Sequence, residues 1–270
     1  DMRILSIFLV LISISLYSCA GESGTPKNVF IVIGDGTGYY QQQAGSLFLH
    51  GEDGQLTSQQ FPVQLAMTTY SADGMGYAPD KAWESFDYVK QKPTDSAAGA
   101  TAMSTGTKTY NGAIGVDENK EPLTHLFTLA EAAGKATGVV TSVPFNHATP
   151  AGHIAHNESR NNYHELAHEM IFESTADVII GAGHPFYDSD AQKLDEPDFK
   201  YISQDDWAAL MDGEAGADAD GDGTADPWQF VDNREMFQQL GAGEAPERLL
   251  GIPRVASTLQ VGRSGGDEAE

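Results

Sequence analysis

Gly138-Val-Val-Thr-Ser142, a helical stretch from Asn161 to Ser174, and Ala176-Asp-Val-Ile-Ile180 closed by Gly181-Ala-Gly183 read in order as strand, helix and strand. The short runs have the length and β-branched content of strands. Strand and helix alternating at this spacing argue for a doubly wound α/β sheet. Further out, Val29-Phe-Ile-Val-Ile33 is a wholly apolar run, as a parallel strand buried on both faces requires. Leu123 to Ala133 reads as a helix ended by Gly134. The alternation predicts an α/β fold: a central, largely parallel sheet with helices on both faces, incomplete at the C-terminus. Ligands of such sheets gather at the carboxyl ends of the strands.

The 270 residues carry 15 Lys and Arg against 39 Asp and Glu, a formal net charge of −24, and the acids are densest after residue 187. That balance argues against nucleic acid or an anionic membrane as a partner held through a basic patch. A single cysteine excludes an intrachain disulfide and a cysteine-rich zinc cluster. An anionic substrate would need local positive charge from metals, arginine or a helix N-terminus. The apolar run from Ile4 to Leu16, preceded by Arg3, is too short to span a bilayer, which takes ~20 residues. It suits a signal peptide over 1–18. Leu16-Tyr-Ser-Cys19 resembles a lipoprotein box with Cys19 lipidated, a plain secretory signal being the alternative. The implied protein is exported, periplasmic or anchored at the outer membrane, and meets the membrane only through the lipid. The domain reading continues with a linker over 19–26, a core over 27–187 and an acidic, insertion-rich continuation over 188–270.

Three blocks sit at or near predicted strand ends. Gly34-Asp35-Gly36-Thr37-Gly38 follows the first run. Glycine allows close backbone approach and the carboxylate suits a cation, although an Asx turn capping the next helix is the plainer account. Thr94-Asp95-Ser96-Ala-Ala-Gly-Ala-Thr-Ala102 reads as a helix capped by Asp95, with the Ser96 hydroxyl in a first turn that suits phosphate. An ordinary capped, alanine-rich helix is the alternative. Asn146-His147-Ala-Thr149-Pro-Ala151 and Ser159-Arg160 follow the Gly138–Ser142 strand; arginine can fork two phosphate oxygens.

Taken together with Thr105-Gly-Thr-Lys-Thr-Tyr-Asn-Gly-Ala-Ile-Gly115, these blocks resemble the bacterial alkaline phosphatases, in the same order. The resemblance is dense from about Lys27 to Gly183 and thinner to about Gly266. It implies hydrolysis of phosphate monoesters, with Ser96 as nucleophile forming a phosphoserine. It implies Zn²⁺ and Mg²⁺ cofactors, Asp35 bridging both, Ser96 on the zinc and Thr149 on the magnesium. Arg160 would clamp the phosphate, Asp95 would orient Arg160, and the enzyme would be a homodimer. A related metal-dependent phosphodiesterase and a non-catalytic metal-binding surface lipoprotein are the alternatives.

Two departures qualify the resemblance. His147 stands where the best-known pattern has aspartate, and other branches are similar in having histidine there; the change weakens a Mg²⁺ site from its outer shell. The family's later ligands, including three histidines, have no counterpart, since no histidine follows His184. The chain therefore reads as the N-terminal part of a longer enzyme, inactive as it stands. His164-Glu165-Leu-Ala-His168 matches the H-E-x-x-H of zinc proteases, but with no third ligand it reads as a solvated helix face. Asp218, Asp220, Asp222 and Asp226 have the spacing of a Ca²⁺ loop over 218–229, although Gln229 cannot supply the closing bidentate carboxylate. His153, His156 and His184 read as surface or outer-shell residues rather than ligands.

Overall fold

The computed structural model describes residues 26–219, 221–243 and 245–258, so the signal stretch with Cys19, and Asp220 of the acidic loop, lie outside the described residues. The described residues divide into two compact units, the first ending at Leu65 and the second beginning at Ala66.

In the first unit the apolar run Val29–Ile33 is not a strand. Among the described residues nothing pairs with it, and Val29, Phe30 and Val32 are 74%, 88% and 94% exposed. β-propensity is a local preference, whereas a strand exists only through its neighbours. Behind it comes the helix Tyr39–His50, whose N-terminal Gly38 N–H is held by Gln41 Oε1 at 3.1 Å. It ends at Gly51 in the left-handed conformation (φ 74°), where the Gly51 N–H reaches the Leu47 carbonyl.

The second unit is built on a four-stranded, wholly parallel sheet in the order β1-β2-β6-β5, from β1 (Gly138–Pro144), β2 (Val178–Ala182), β5 (Gln229–Val231) and β6 (Leu249–Gly251). Val139 faces Ile179, Ile179 faces Leu250, and Leu250 faces Phe230, so one apolar row crosses the whole sheet. With its helices this is the expected α/β architecture. Both later strands come from 188–270, so the acidic stretch supplies two of the four strands of this sheet. A two-stranded hairpin, β3 (Gly216–Ala217) with β4 (Asp226–Pro227), carries the acidic loop.

Element boundaries differ from those expected. The helix expected from Leu123 begins at Leu126, and the Leu123 N–H bonds the Gly115 carbonyl at 2.8 Å. The helix expected over Asn161 to Ser174 is Tyr163–His168 followed by a π-turn, Glu169–Glu173, closed when the Ser174 Oγ donates to the Met170 carbonyl. Gly181 in β2 is needed for close packing: a Cβ there would lie 2.7 Å from Phe145 Cα, beyond the end of β1. Leu166, Met170, Ile171, Ile179 and Leu250 form the centre of the core with Trp207 and Trp228.

Arg248, adjoining β6, is 3% exposed and donates only to backbone carbonyls, those of Ala176, Ser174, Ala217 and Asp226, at 2.7 to 3.3 Å. Its guanidinium lies 3.8 Å from the Trp228 ring centre. Arg248→Met strands several buried carbonyls at ~1–3 kcal/mol each. We expect a loss of about 3 kcal/mol or more, read as a lower urea midpoint; an unchanged midpoint would remove this role.

Candidate active site

Asp95 and Arg160, 65 positions apart in sequence, meet as an ion pair with Arg160 Nη1 3.0 Å from Asp95 Oδ2. The other oxygen, Oδ1, accepts the Ala98 N–H at 2.9 Å and caps the helix Ser96–Thr105. One carboxylate thus starts the helix and turns the arginine toward that end of it. Ser96 is the first residue of this helix and is half-buried. The amide groups of a helix's first turn and its positive dipole end attract an anion there. A guanidinium beside it adds a second source of positive charge in a protein of net charge −24.

Small residues let this helix sit deep. Ala97, Ala98, Ala100 and Thr101 are buried, and a Cβ at Gly152 would come within 2.7 Å of Ala100 Cβ. The Ser104 Oγ donates to the Gly152 carbonyl, and Thr101 Oγ1 to that of Ala113 at 3.1 Å. The partner helix, Ala148–Ala151, follows the end of β1 and carries Thr149, with His147 as its N-terminal cap residue. Asn146, fully buried, donates to the carbonyls of Tyr163 and Tyr201, both at 2.7 Å, and His147 stacks on the Tyr163 ring with centres 6.2 Å apart.

Of the residues named from sequence, the structure brings Asp95, Ser96 and Arg160 together and places His147 and Thr149 on the adjoining helix. Asp35 belongs to the first unit, in a tight turn closed by the Thr37 N–H on the Gly34 carbonyl at 3.0 Å with Gly36 at φ 69°. Among the described residues no group of three or more His, Cys, Asp or Glu is arranged to hold a metal ion. Asp35, Ser96 and Thr149 supply one carboxylate and two hydroxyls, which do not by themselves satisfy a zinc ion, usually four-coordinate with histidine, cysteine or carboxylate.

The remaining motifs resolve differently. His164 bonds the Phe199 carbonyl, His168 pairs with Asp206 at 3.0 Å, and Glu165 accepts from Asn157 and Asn162, so the H-E-x-x-H residues turn to separate partners and both histidines are exposed. In the acidic loop, Asp218 accepts the N–H groups of Gly221 and Gly223, Asp222 that of Thr224, and Asp226 that of Ala219. His153 and His184 are each 5% exposed, so of the two placements expected of them, surface or outer-shell, neither residue takes the surface one. His153 Nδ1 lies 2.8 Å from the Thr149 carbonyl, and His184 is walled in by Phe186, Tyr187 and Trp207. Sequence reasoning missed Asn111, whose side chain holds the segment leading into Ser96; its only sequence signal is the Asn111-Gly112 turn pair inside a quoted block.

The family model for alkaline phosphatase matches residues 26–258. This chain belongs to the alkaline phosphatase family. It is 34% identical to alkaline phosphatase 4 of Bacillus subtilis over 177 residues, 62% of this chain and 35% of that protein. Identity to the Escherichia coli K12 alkaline phosphatase is 35% over 175 residues, 58% of this chain and 35% of that one. Among solved structures it resembles the alkaline phosphatase of the Antarctic bacterium TAB5 with a TM-score of 0.54 and 25% identity, over 83% of this chain and 53% of that one. The chain spans about a third of the length of these curated relatives. Variants of the TAB5 enzyme have been solved with Mg bound. Among the described residues of this chain, no helix is long and apolar enough to cross a membrane.

Burial holds His125 and His184 at pKa values of about 4, the neighbouring His156 adding to the effect on His125. His156 behaves oppositely: burial alone would lower it, but hydrogen bonds to the Glu169 carboxylate and the Leu123 carbonyl outweigh this and raise it. His125 and His184 are neutral when folded and take up protons on unfolding below pH ~6.5, the ordinary histidine value. Their stabilising effect is complete above that pH and is lost as pH falls toward 4. Urea midpoints should therefore fall from pH 7 to pH 5, and His125→Phe should flatten that dependence; a slope unaltered in the variant would exclude His125 as a contributor.

Proposed function

We propose that this chain provides the phosphate-binding and nucleophilic part of an alkaline phosphatase that hydrolyses phosphate monoesters through Ser96. The observation that carries the proposal is the Asp95–Arg160 pair at the end of the helix that Ser96 opens. A monoester presents a phosphorus with negative charge spread over its non-bridging oxygens, and phosphoryl transfer is catalysed mainly by positioning and charge stabilisation. Arg160, oriented by Asp95, donates to two of those oxygens. The Ser96 Oγ then attacks in line, forming the O–P bond as the bond to the leaving alkoxide breaks, and the serine proton passes to solvent. Water attacks the phosphoserine from the vacated side, releasing phosphate and restoring the hydroxyl.

Zn²⁺ and Mg²⁺, the metals the family resemblance implies, would supply activation of the hydroxyl and of water. Since the donor set described above does not satisfy zinc, the steps are assigned to the chain's own residues. Export through the Ile4–Leu16 segment, anchoring at Cys19, a Ca²⁺ in the 218–229 loop and a homodimeric assembly belong to the same proposal; the first two rest on the sequence outside the described residues.

The test is phosphate release from an aryl phosphate monoester by an alkaline phosphatase that carries this chain, supplied with Zn²⁺ and Mg²⁺. Ser96→Ala should reduce turnover by at least about 10³-fold. Arg160→Ala, losing charge-assisted hydrogen bonds of ~1.5–3 kcal/mol, should raise KM by about 10- to 100-fold. Equal turnover with and without the Ser96 hydroxyl refutes the assignment.

A further inference from the structure

The segment Tyr110–Ile114 is hydrogen-bonded on one side to the strand of chain that delivers Asp95 and Ser96, and on the other to the loop that delivers Arg160. On the serine side, Asn111 uses both ends of its amide: Oδ1 accepts the Asp95 N–H at 2.9 Å and Nδ2 donates to the Pro93 carbonyl at 2.9 Å. Its own N–H reaches Asp73 Oδ1 at 3.3 Å, and that carboxylate is in turn held by the Ser71 hydroxyl at 2.8 Å. On the arginine side, the Gly112 carbonyl accepts the Arg160 N–H at 2.8 Å, and the Tyr110 hydroxyl donates to the Glu158 carbonyl at 3.0 Å. Ile114 and Asn157 exchange both backbone hydrogen bonds, at 2.8 and 2.9 Å.

Gly112 makes this bridge possible, since φ +95° is a conformation that side-chain-bearing residues rarely adopt. Gly115, at φ +60°, seats the end of the segment where a Cβ would meet the Ala155 carbonyl at 2.3 Å. The nucleophile loop and the arginine loop are far apart in sequence and are joined by the Asp95–Arg160 pair and by this shared strip of backbone. An ion pair between partly exposed side chains does not set a spacing by itself; hydrogen bonds from both loops to one shared segment do.

We propose that Asn111 is a positioning residue for phosphoryl transfer: by pinning Pro93 and Asp95 to the segment that also holds the Arg160 backbone, it sets where Ser96 stands relative to the phosphate that Arg160 grips. The inference rests on the phosphatase reading for its chemical consequence, but not for its structural one. Asn111 touches no reacting atom in this scheme. Its loss loosens Ser96, whereas Arg160 keeps its backbone attachment to Gly112.

The experiment compares the wild-type chain with Asn111→Ala and Asn111→Asp, the second keeping the acceptor for the Asp95 N–H and removing the donor to Pro93. Amide hydrogen exchange is measured over residues 93–98 and, as an internal control, over β1 and β2. Exchange at 95–98 is expected to rise about tenfold or more in Asn111→Ala and less in Asn111→Asp, with β1 and β2 unchanged. In parallel, turnover of an aryl phosphate should show kcat lowered by about 10- to 100-fold with KM changed far less, as misplacement of a nucleophile predicts. Exchange unaltered at 95–98, a rise spread equally over the control strands, or an unchanged kcat in an active wild-type chain each overturns the proposal. Turnover is read in an alkaline phosphatase that carries this chain; if that enzyme releases no phosphate, the phosphatase reading fails and the exchange pattern alone decides whether Asn111 holds the Ser96 segment. Should Asn111→Ala not fold, Asn111→Asp carries the comparison.

Discussion

A buried cation whose hydrogen-bonding nitrogens, among the described residues, meet backbone carbonyls and no carboxylate governs the second unit. Arg248 is solvated by the carbonyls of Ser174, Ala176, Ala217 and Asp226, which come from the end of the π-turn, the approach to β2 and both strands of the small hairpin. Burying a guanidinium costs several kcal/mol unless its donors are met. Here carbonyl oxygens meet them, and each of those carbonyls would otherwise be a buried acceptor in search of a donor. Arg248 adjoins β6, which pairs with β2, so the cation and the strand are fixed at the same place in the fold.

The frame also explains where the chemistry sits. β1 is held by β2, and the chain beyond β1 turns at Phe145 and Asn146 into the short helix that bears Thr149. The Ser96–Thr105 helix packs on that short helix through alanine and glycine contacts too small to tolerate a larger side chain. Ser96 is consequently placed by the helix it starts, and Arg160 by the loop that leaves the Ala148–Ala151 helix. Neither position depends on a long side chain searching for its partner. Preorganisation of this kind is what phosphoryl transfer asks of a protein, because the covalent change is simple and the cost lies in gathering charge.

Legibility from sequence differed by element. β1 and β2 were readable because β-branched runs of strand length with glycine punctuation mean the same thing in most contexts. β5 and β6 were not, being three residues each and embedded in a stretch whose acidity suggested a solvated surface. Val29–Ile33 misled in the other direction, since its composition is that of a buried strand and the chain leaves it unpaired and exposed. At the site, Asp95 as helix cap and Ser96 as first helical residue followed from local capping rules. Asn111 did not, because an amide that bridges two loops has no period and no spacing to betray it.

The sequence by itself determined the alternation of strand and helix, the capped helix at Ser96, the membership of a recognisable family and the sign of the protein's charge. Each depends on residues close together in the chain, or on motif order, and so survives without coordinates. Only the tertiary structure decided that Asp95 divides its two oxygens between the helix cap and Arg160, that His125, His153 and His184 are buried rather than exposed, and that the acidic C-terminal third supplies two strands of the central sheet. These are statements about desolvation and hydrogen-bond partnership between distant segments. Such partnerships are set by which carbonyl, carboxylate or ring occupies the neighbouring space, a quantity that no window of sequence contains.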